Sequence, residues 1–252
     1  MIVAASTECF QELSLEETID KCVDLEYTSI EIDLHEEGGH LKPSEVAADL
    51  PRAIERCLNT RRLQICSYSV RIGPHSEQEY ELFEACCKLA KATKVVTITI
   101  ESAELGTPFN EEVERLRKLV AIAEQHGVRV SLKNEIGRLS EDPDTIKVLC
   151  DNVPGLGLTL DPTHFLCGRY SARDYSKLMP YVFHVHLRDS SKDRMTVKIG
   201  QGEIEYGKLI NCLQKQKYNR ALSTHITPIE DPDVDHTAEM RKMRLLLESL
   251  LI

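Results

Sequence analysis

Apolar and polar positions along the chain repeat one rhythm: a short β-rich run, a polar or small-residue loop, an amphipathic helical pattern, then the next run. Eight runs read as strands, over Ile2–Ala5, Ser29–Leu34, Gln64–Ser69, Val95–Glu101, Arg129–Leu132, Gly157–Asp161, Val182–Leu187 and Ala221–Ile226. Helical patterns lie between them, at Leu15–Leu25, Pro43–Asn59, Glu77–Ala92, Asn110–His126, Pro143–Asp151 and Tyr206–Gln216, and a last one spans Thr237–Leu251. End signals support these boundaries. Ser14 stands three residues before Glu17 in a capping-box pattern, Asn110 precedes Glu111 and Glu112, Asp142 precedes Pro143, and Gly127 follows the fourth pattern. Strands that alternate with helices are parallel and joined by helical crossovers. Eight such units in 252 residues predict a single α/β domain over 1–252, a closed (β/α)8 TIM barrel. A doubly wound open sheet is disfavoured, because the first turn reads Ser6-Thr7-Glu8-Cys9-Phe10 and carries no Gly-x-Gly-x-x-Gly.

Composition narrows the partners. A net charge of −10 and only short Lys/Arg clusters argue against a nucleic-acid partner, which needs a basic face to neutralise phosphate, while leaving a locally basic groove open. No apolar run reaches transmembrane length, and the amino terminus lacks a secretory pattern; the expectation is a cytoplasmic protein that avoids membranes. Nine cysteines, an odd number without Cys-x-x-Cys spacing, read as reduced thiols. A homo-oligomer is compatible with the sequence, which does not fix the oligomeric state.

Chemistry concentrates in two of the strands. Residues i and i+2 share a strand face, so His184 and His186 project the same way, with Arg188 and Asp189 just beyond the strand end. The preceding run ends in Asp161 and, after a turn, His164. Carboxyl ends of parallel strands are where barrel active sites lie. His35, His40 and His75 fall in polar loops and read as solvent-exposed or substrate-lining.

Taken together, Ser29-Ile30-Glu31-Ile32, Leu132-Lys133-Asn134-Glu135-Ile136-Gly137-Arg138, Leu160-Asp161-Pro162-Thr163-His164, His184-Val185-His186-Leu187-Arg188-Asp189-Ser190 and Gly200-Gln201-Gly202-Glu203-Ile204 resemble the xylose-isomerase-like TIM-barrel superfamily over essentially the whole chain. That group holds sugar and sugar-phosphate isomerases and epimerases, and AP endonucleases. The resemblance implies a divalent metal (Zn, Mn or Mg) at the barrel mouth, bound by Glu, Asp, His and Glu from strands five to eight. In such enzymes the two glutamates also shuttle a proton. Asp161 and His186 match two ligand positions, and His164, His184 and Asp189 match accessory ones. Lys133 and His225 occupy the two glutamate positions.

Glu135, two residues beyond Lys133, is the replacement carboxylate expected from strand phase. The expected metal set is therefore Asp161, His186, His225 and Glu135, suited to Zn²⁺ or Mn²⁺. Glu135, His225 and Lys133 are the candidate catalytic groups. Glu31, His164, His184 and Arg188 are the candidate contacts for a small sugar-like substrate. An ammonium in the same cavity opposes a dication by about 4 kcal/mol per unit charge at about 4 Å and an effective dielectric near 20. Lys133 could thus replace the metal as a fixed cation, or act as a base or Schiff-base nucleophile. Two functions follow: an isomerase or epimerase, or related metal-dependent lyase, acting on a small polyhydroxylated carbonyl compound; or a barrel that binds a sugar-like ligand without turning it over. A DNA-repair endonuclease would need a basic groove and three zinc ions.

Overall fold

In the computed structural model, which describes residues 1–73, 78–226 and 234–251, eight parallel strands close into a barrel in sequence order. They are β1 (Ile2–Ser6), β2 (Ser29–His35), β3 (Gln64–Arg71), β4 (Thr97–Glu101), β5 (Arg129–Lys133), β6 (Gly157–Leu160), β7 (Val182–Leu187) and β8 (Ala221–Thr224). Closure is made by β1 against β8, with Ile2 opposite Ala221 and Ala5 opposite Thr224. The helices are α1 (Leu15–Asp24), α2 (Pro43–Ala48), α3 (Leu50–Leu58), α4 (Glu79–Ala92), α5 (Phe109–Gln125), α6 (Pro143–Asn152), α7 (Pro162–Cys167), α8 (Tyr206–Lys215) and α9 (His236–Ser249). The expected (β/α)8 fold is the observed one. His75 lies outside the described residues.

Strand alternation divides the molecule into two chemically distinct cores. Ile30, Ile32, Tyr68, Ile98, Val130, Leu132, Leu158, Val185 and Leu187 are buried with the apolar faces of the helices in one hydrophobic cluster. The opposite faces meet inside the barrel and are polar. Thr99, Thr159 and Ser131 form a hydroxyl chain across β4, β6 and β5, with oxygens 2.8 and 2.7 Å apart. Ser67 on β3 reaches His184 on β7 at 3.2 Å. Barrel interiors are usually filled by bulky branched residues; here hydrogen bonds tie the strands together instead.

Local chemistry sets the boundaries. Ser14 and Glu17 form the full capping box, Asp142 accepts the Asp144 N–H, and Gly127 takes φ +70° after α5. Asn110 does not cap its helix: α5 starts one residue earlier, behind Pro108. The single helix expected over Pro43–Asn59 is two. Pro51 cannot donate to the preceding turn, so the chain breaks at Asp49, which accepts the Arg52 N–H and starts α3. All nine cysteines are free; six are buried, and Cys66, Cys167 and Cys212 are half-buried. Among the described residues no helix is long and apolar enough to cross a membrane.

The β2–α2 loop turns back on its own strand at Gly39, where an added Cβ would lie 2.6 Å from the His35 nitrogen and 2.8 Å from its carbonyl oxygen. Backbone cannot give way cheaply, so Gly39→Ala is expected to destabilise the protein by about 1–3 kcal/mol. Gly207→Ala in α8, with nothing within 4 Å of its Cβ, should be neutral or slightly stabilising. Urea unfolding of the two variants checks this, and an equal effect at both sites would refute the steric account.

Candidate active site at the barrel mouth

The floor of the site is a carboxylate with no solvent contact. Glu31 on β2 accepts hydrogen bonds from His186 Nε2 at 3.0 Å and Ser223 Oγ at 2.8 Å, and His184 Nε2 lies 3.2 Å from its second oxygen. Burial alone would raise its pKa, but the imidazoles of His186 and His184 hold it well below the usual carboxylate range. His186, fully buried, is itself pushed down to about 4, chiefly by burial, and is neutral at physiological pH. Because its Nε2 serves Glu31, its Nδ1 carries the free lone pair. That Nδ1 is buried without a hydrogen-bond partner.

Above the floor, Asp161, His186 and His225 bring one ligand atom each within 4.8 Å of one another. The His225 ring stacks on that of His186 with centroids 4.6 Å apart and planes at 4°. Neither His225 nitrogen makes a hydrogen bond; Nε2 lies 3.2 Å from Glu8 Oε2 but is not aligned with it. Asp161 accepts the Thr163 N–H at 3.0 Å and Arg188 Nη2 at 2.7 Å. Burial works against its charge, yet Arg188, His164 and Lys133 keep it ionised far below the usual range. One carboxylate and two imidazoles with three orphaned ring nitrogens form a donor set that fits a divalent cation such as Zn²⁺ or Mn²⁺. Glu31, His184 and His186 form a second such cluster, but its atoms already bond one another.

The other expected site residues are placed as follows. Lys133, at the end of β5, is 5 % exposed and acts electrostatically on Glu8, Asp161, Glu135 and His164, but among the described residues it makes neither a hydrogen bond nor an ion pair. Glu135 belongs to neither cluster. β5 ends at Lys133, and Arg138 Nε reaches back to the Glu135 carboxylate at 3.1 Å, joining it to a rim network in which Arg138 and Arg71 share Glu101. His164 Nδ1 faces the Ile136 N–H at 3.3 Å and its Nε2 faces Arg188 at 3.2 Å. Burial, with Lys133 and Arg188 nearby, lowers its pKa to about 4. Asp189 acts away from the mouth: it accepts the N–H groups of Ser190, Gly200 and Gly202 and so shapes the β7–α8 loop.

Sequence reasoning missed two carboxylates. Glu8, in the single turn of 3₁₀ helix after β1, accepts from Ser69 Oγ at 3.0 Å and lies 3.5 Å from His35 Nε2. Despite burial it is held well below the usual range by His225, Lys133 and His35. Its polar neighbours Ser6 and Thr7, directly after an apolar strand, were the available signal. Asp33 on β2 bonds Thr7 and His40 closely. His35 is accordingly buried, and His40 is half-buried with its side chain 2 % exposed, so neither is solvent-exposed as a loop residue: each finds a carboxylate beside it.

This geometry meets a match to the family model described as a xylose isomerase-like TIM barrel, over residues 19–245. The chain belongs to the xylose isomerase-like TIM barrel family. Solved structures agree on the fold of this xylose isomerase-like barrel. A xylose isomerase domain protein from Alicyclobacillus acidocaldarius is similar at TM-score 0.80 and 17 % identity, covering 100 % of this chain and 98 % of that one. A xylose isomerase-like protein from Mycobacterium smegmatis in complex with magnesium is similar at TM-score 0.78 and 16 % identity, over 100 and 98 %. An L-ribulose 3-epimerase is similar at TM-score 0.75 and 16 % identity, over 99 and 95 %. No curated protein matches the sequence.

The Asp33–His40 pair in this barrel gives a pH dependence of known sign. His40 is raised, its own burial opposing and Asp33 prevailing, while Asp33 is lowered, its burial opposing and His40 prevailing. Stabilisation from Asp33 is present above its unfolded pKa near 3.9 and is lost as pH falls through the lower folded value. That from His40 is present below about 6.5 and is lost as pH rises through the higher folded value. The charged pair therefore stabilises most between about pH 4 and 6.5. His40→Gln should lower stability more at pH 6 than at pH 9 in urea titrations; equal losses would show that charge is not what the pair contributes.

Proposed function

We propose that this chain is a metal-assisted isomerase or epimerase acting on a small polyhydroxylated carbonyl compound, with Asp161, His186 and His225 as the ligands of one divalent cation. The observation that carries this reading is the set of buried, unpartnered nitrogens, His186 Nδ1 and both nitrogens of His225, beside an ionised Asp161. Buried polar atoms in native proteins nearly always have partners, and orphans this concentrated ask for a ligand. The Glu31 carboxylate fixes the His186 tautomer that leaves Nδ1 free, the outer-shell arrangement usual for a metal-binding histidine. A divalent ion held by these residues would supply Lewis-acid polarisation of a carbonyl oxygen, easing loss of a proton from the neighbouring carbon.

The proton needs a carrier, and among the described residues the mouth leaves one carboxylate for it. Asp161 is engaged by Arg188, Glu101 by Arg71 and Arg138, and Glu135 by Arg138, while Glu31 lies beneath the triad without solvent contact. Glu8 is matched by no arginine, is ionised, and sits next to His225 within the field of Lys133. Glu8 is thus the proposed base. The earlier candidates take other parts: His225 holds the ion, Glu135 braces the rim through Arg138, and His164 positions Arg188. Lys133 and His225 at the family's glutamate positions support a second reading, a barrel that binds a sugar-like ligand without turnover.

Two measurements test this. Metal analysis should find about one Zn²⁺ or Mn²⁺ per chain, lost in Asp161→Asn and His186→Gln, since even outer-shell losses weaken such sites by about 10–100-fold. Solvent deuterium should enter a ketose or sugar acid with wild-type protein, and Glu8→Gln should retain the metal but exchange about 10²–10⁴-fold more slowly. Metal-loaded protein that exchanges nothing across a panel of ketoses, ketose phosphates and sugar acids overturns the enzyme reading in favour of the binding one.

A further inference from the structure

Two buried cations at the mouth have donors that no described residue uses. Lys133, 5 % exposed, has no hydrogen bond or ion pair among the described residues, and Arg188, 4 % exposed, spends Nη2 on Asp161 while its Nε is buried without a partner. Lys133 ends β5 and Arg188 directly follows β7, on either side of β6 and of the Asp161 beyond it, which Arg188 bonds at 2.7 Å; both cations act on Asp161 and His164. An isolated buried ammonium is costly and is normally paired. Of the carboxylates around it, Glu135 and Glu101 already have their own arginines, and Glu8 and Asp161 act on Lys133 through space without forming an ion pair with it.

Counting fixed charges among the described residues points the same way. Glu8, Glu31 and Asp161 face Lys133 and Arg188, and the rim acids and arginines neutralise one another. A divalent ion at the triad turns this balance from one net negative charge to one net positive. A carboxylate supplies the single negative charge that closes it, whereas a phosphate monoester carries about −1.5 to −2 at neutral pH.

Resting on the reading of the triad as a metal site, we infer that Lys133 and Arg188 form a carboxylate-binding subsite, so that the ligand of this barrel is a sugar acid and not a neutral ketose. Lys133 then stands where the family places a metal-binding glutamate because in this chain the substrate, and not the protein, brings that negative charge.

Calorimetric titration of metal-loaded protein with D-gluconate, its neutral counterpart D-glucitol, and glucose 6-phosphate tests the subsite without any turnover. Gluconate should bind at least tenfold more tightly than glucitol and more tightly than the phosphate. Lys133→Met should abolish the preference while keeping the metal, and Lys133→Arg, which keeps the charge, should retain most of it. The same titration of chelator-treated wild-type protein should show a weaker but surviving preference for gluconate. An unchanged preference in a folded Lys133→Met protein, or glucitol binding as tightly as gluconate, overturns the proposal; tighter binding of the phosphate overturns its choice of anion. The two readings fail separately. Acid preference without deuterium exchange removes the enzyme reading alone, and exchange into neutral ketoses without acid preference removes this one alone.

Discussion

Glu31 is the constraint around which the barrel is organised. A carboxylate with no access to water has to be satisfied by the protein, and β2 cannot do so from its own residues. Partners come from β7, through His184 and His186, and from β8, through Ser223. The pairing spans the barrel, so it fixes which faces of β7 and β8 point inward. It also sets chemistry one layer higher: with Nε2 of His186 committed downward, Nδ1 is left facing up as an acceptor. Removing the Glu31 carboxylate would leave two buried imidazoles without the acceptor they share and free the His186 tautomer, so the structural and chemical roles of this residue are inseparable.

The same logic explains why the interior is hydroxylic. A layer of branched aliphatic side chains beneath Glu31 would strand its charge, whereas Ser67, Thr99, Ser131 and Thr159 can pass hydrogen bonds from strand to strand. Apolar burial is moved outward, to the strand–helix layer, where the alternate residues of every strand pack. Several strands, β4 and β7 most clearly, therefore read as a half-polar alternation in the sequence.

That alternation is why the fold was legible. Period-two runs gave eight strands whose starts and ends fall within two residues of those observed, and the capping pattern at Ser14 and Asp142 carried straight through to structure. Errors arose where a local signal outweighed a periodic one: Pro51 splits α2 from α3, and Pro108 starts α5 before Asn110. In the site, side chains on a regular strand could be phased, as His184 and His186 were, whereas the ligand role of Asp161 and the place of Lys133 came from the family resemblance. Residues beyond strand ends could not be phased. Glu135 lies in the loop after β5, and its partner Arg138, three residues on, was the cue that its carboxylate points along the rim. Glu8 and Asp33 escaped because their partners, His225, Ser69 and His40, come from other strands or loops.

The two departures at the glutamate positions make physical sense as a pair. Replacing one carboxylate by an ammonium and the other by an imidazole takes two negative charges from the cavity and adds a positive one, a change that a dication site alone would not survive. Three features offset it in this chain: Glu8 enters from β1 beside His225, Glu31 lends charge through His186, and Asp161 is ionised with Arg188 bound to only one of its oxygens. What remains is a centre whose donors are weaker than a set of two glutamates and whose surroundings are more cationic. On the proposed reading, such a centre would bind its ion best when an anion arrives with it, so that metal and ligand affinities would be coupled through Lys133, each strengthening the other by the same factor.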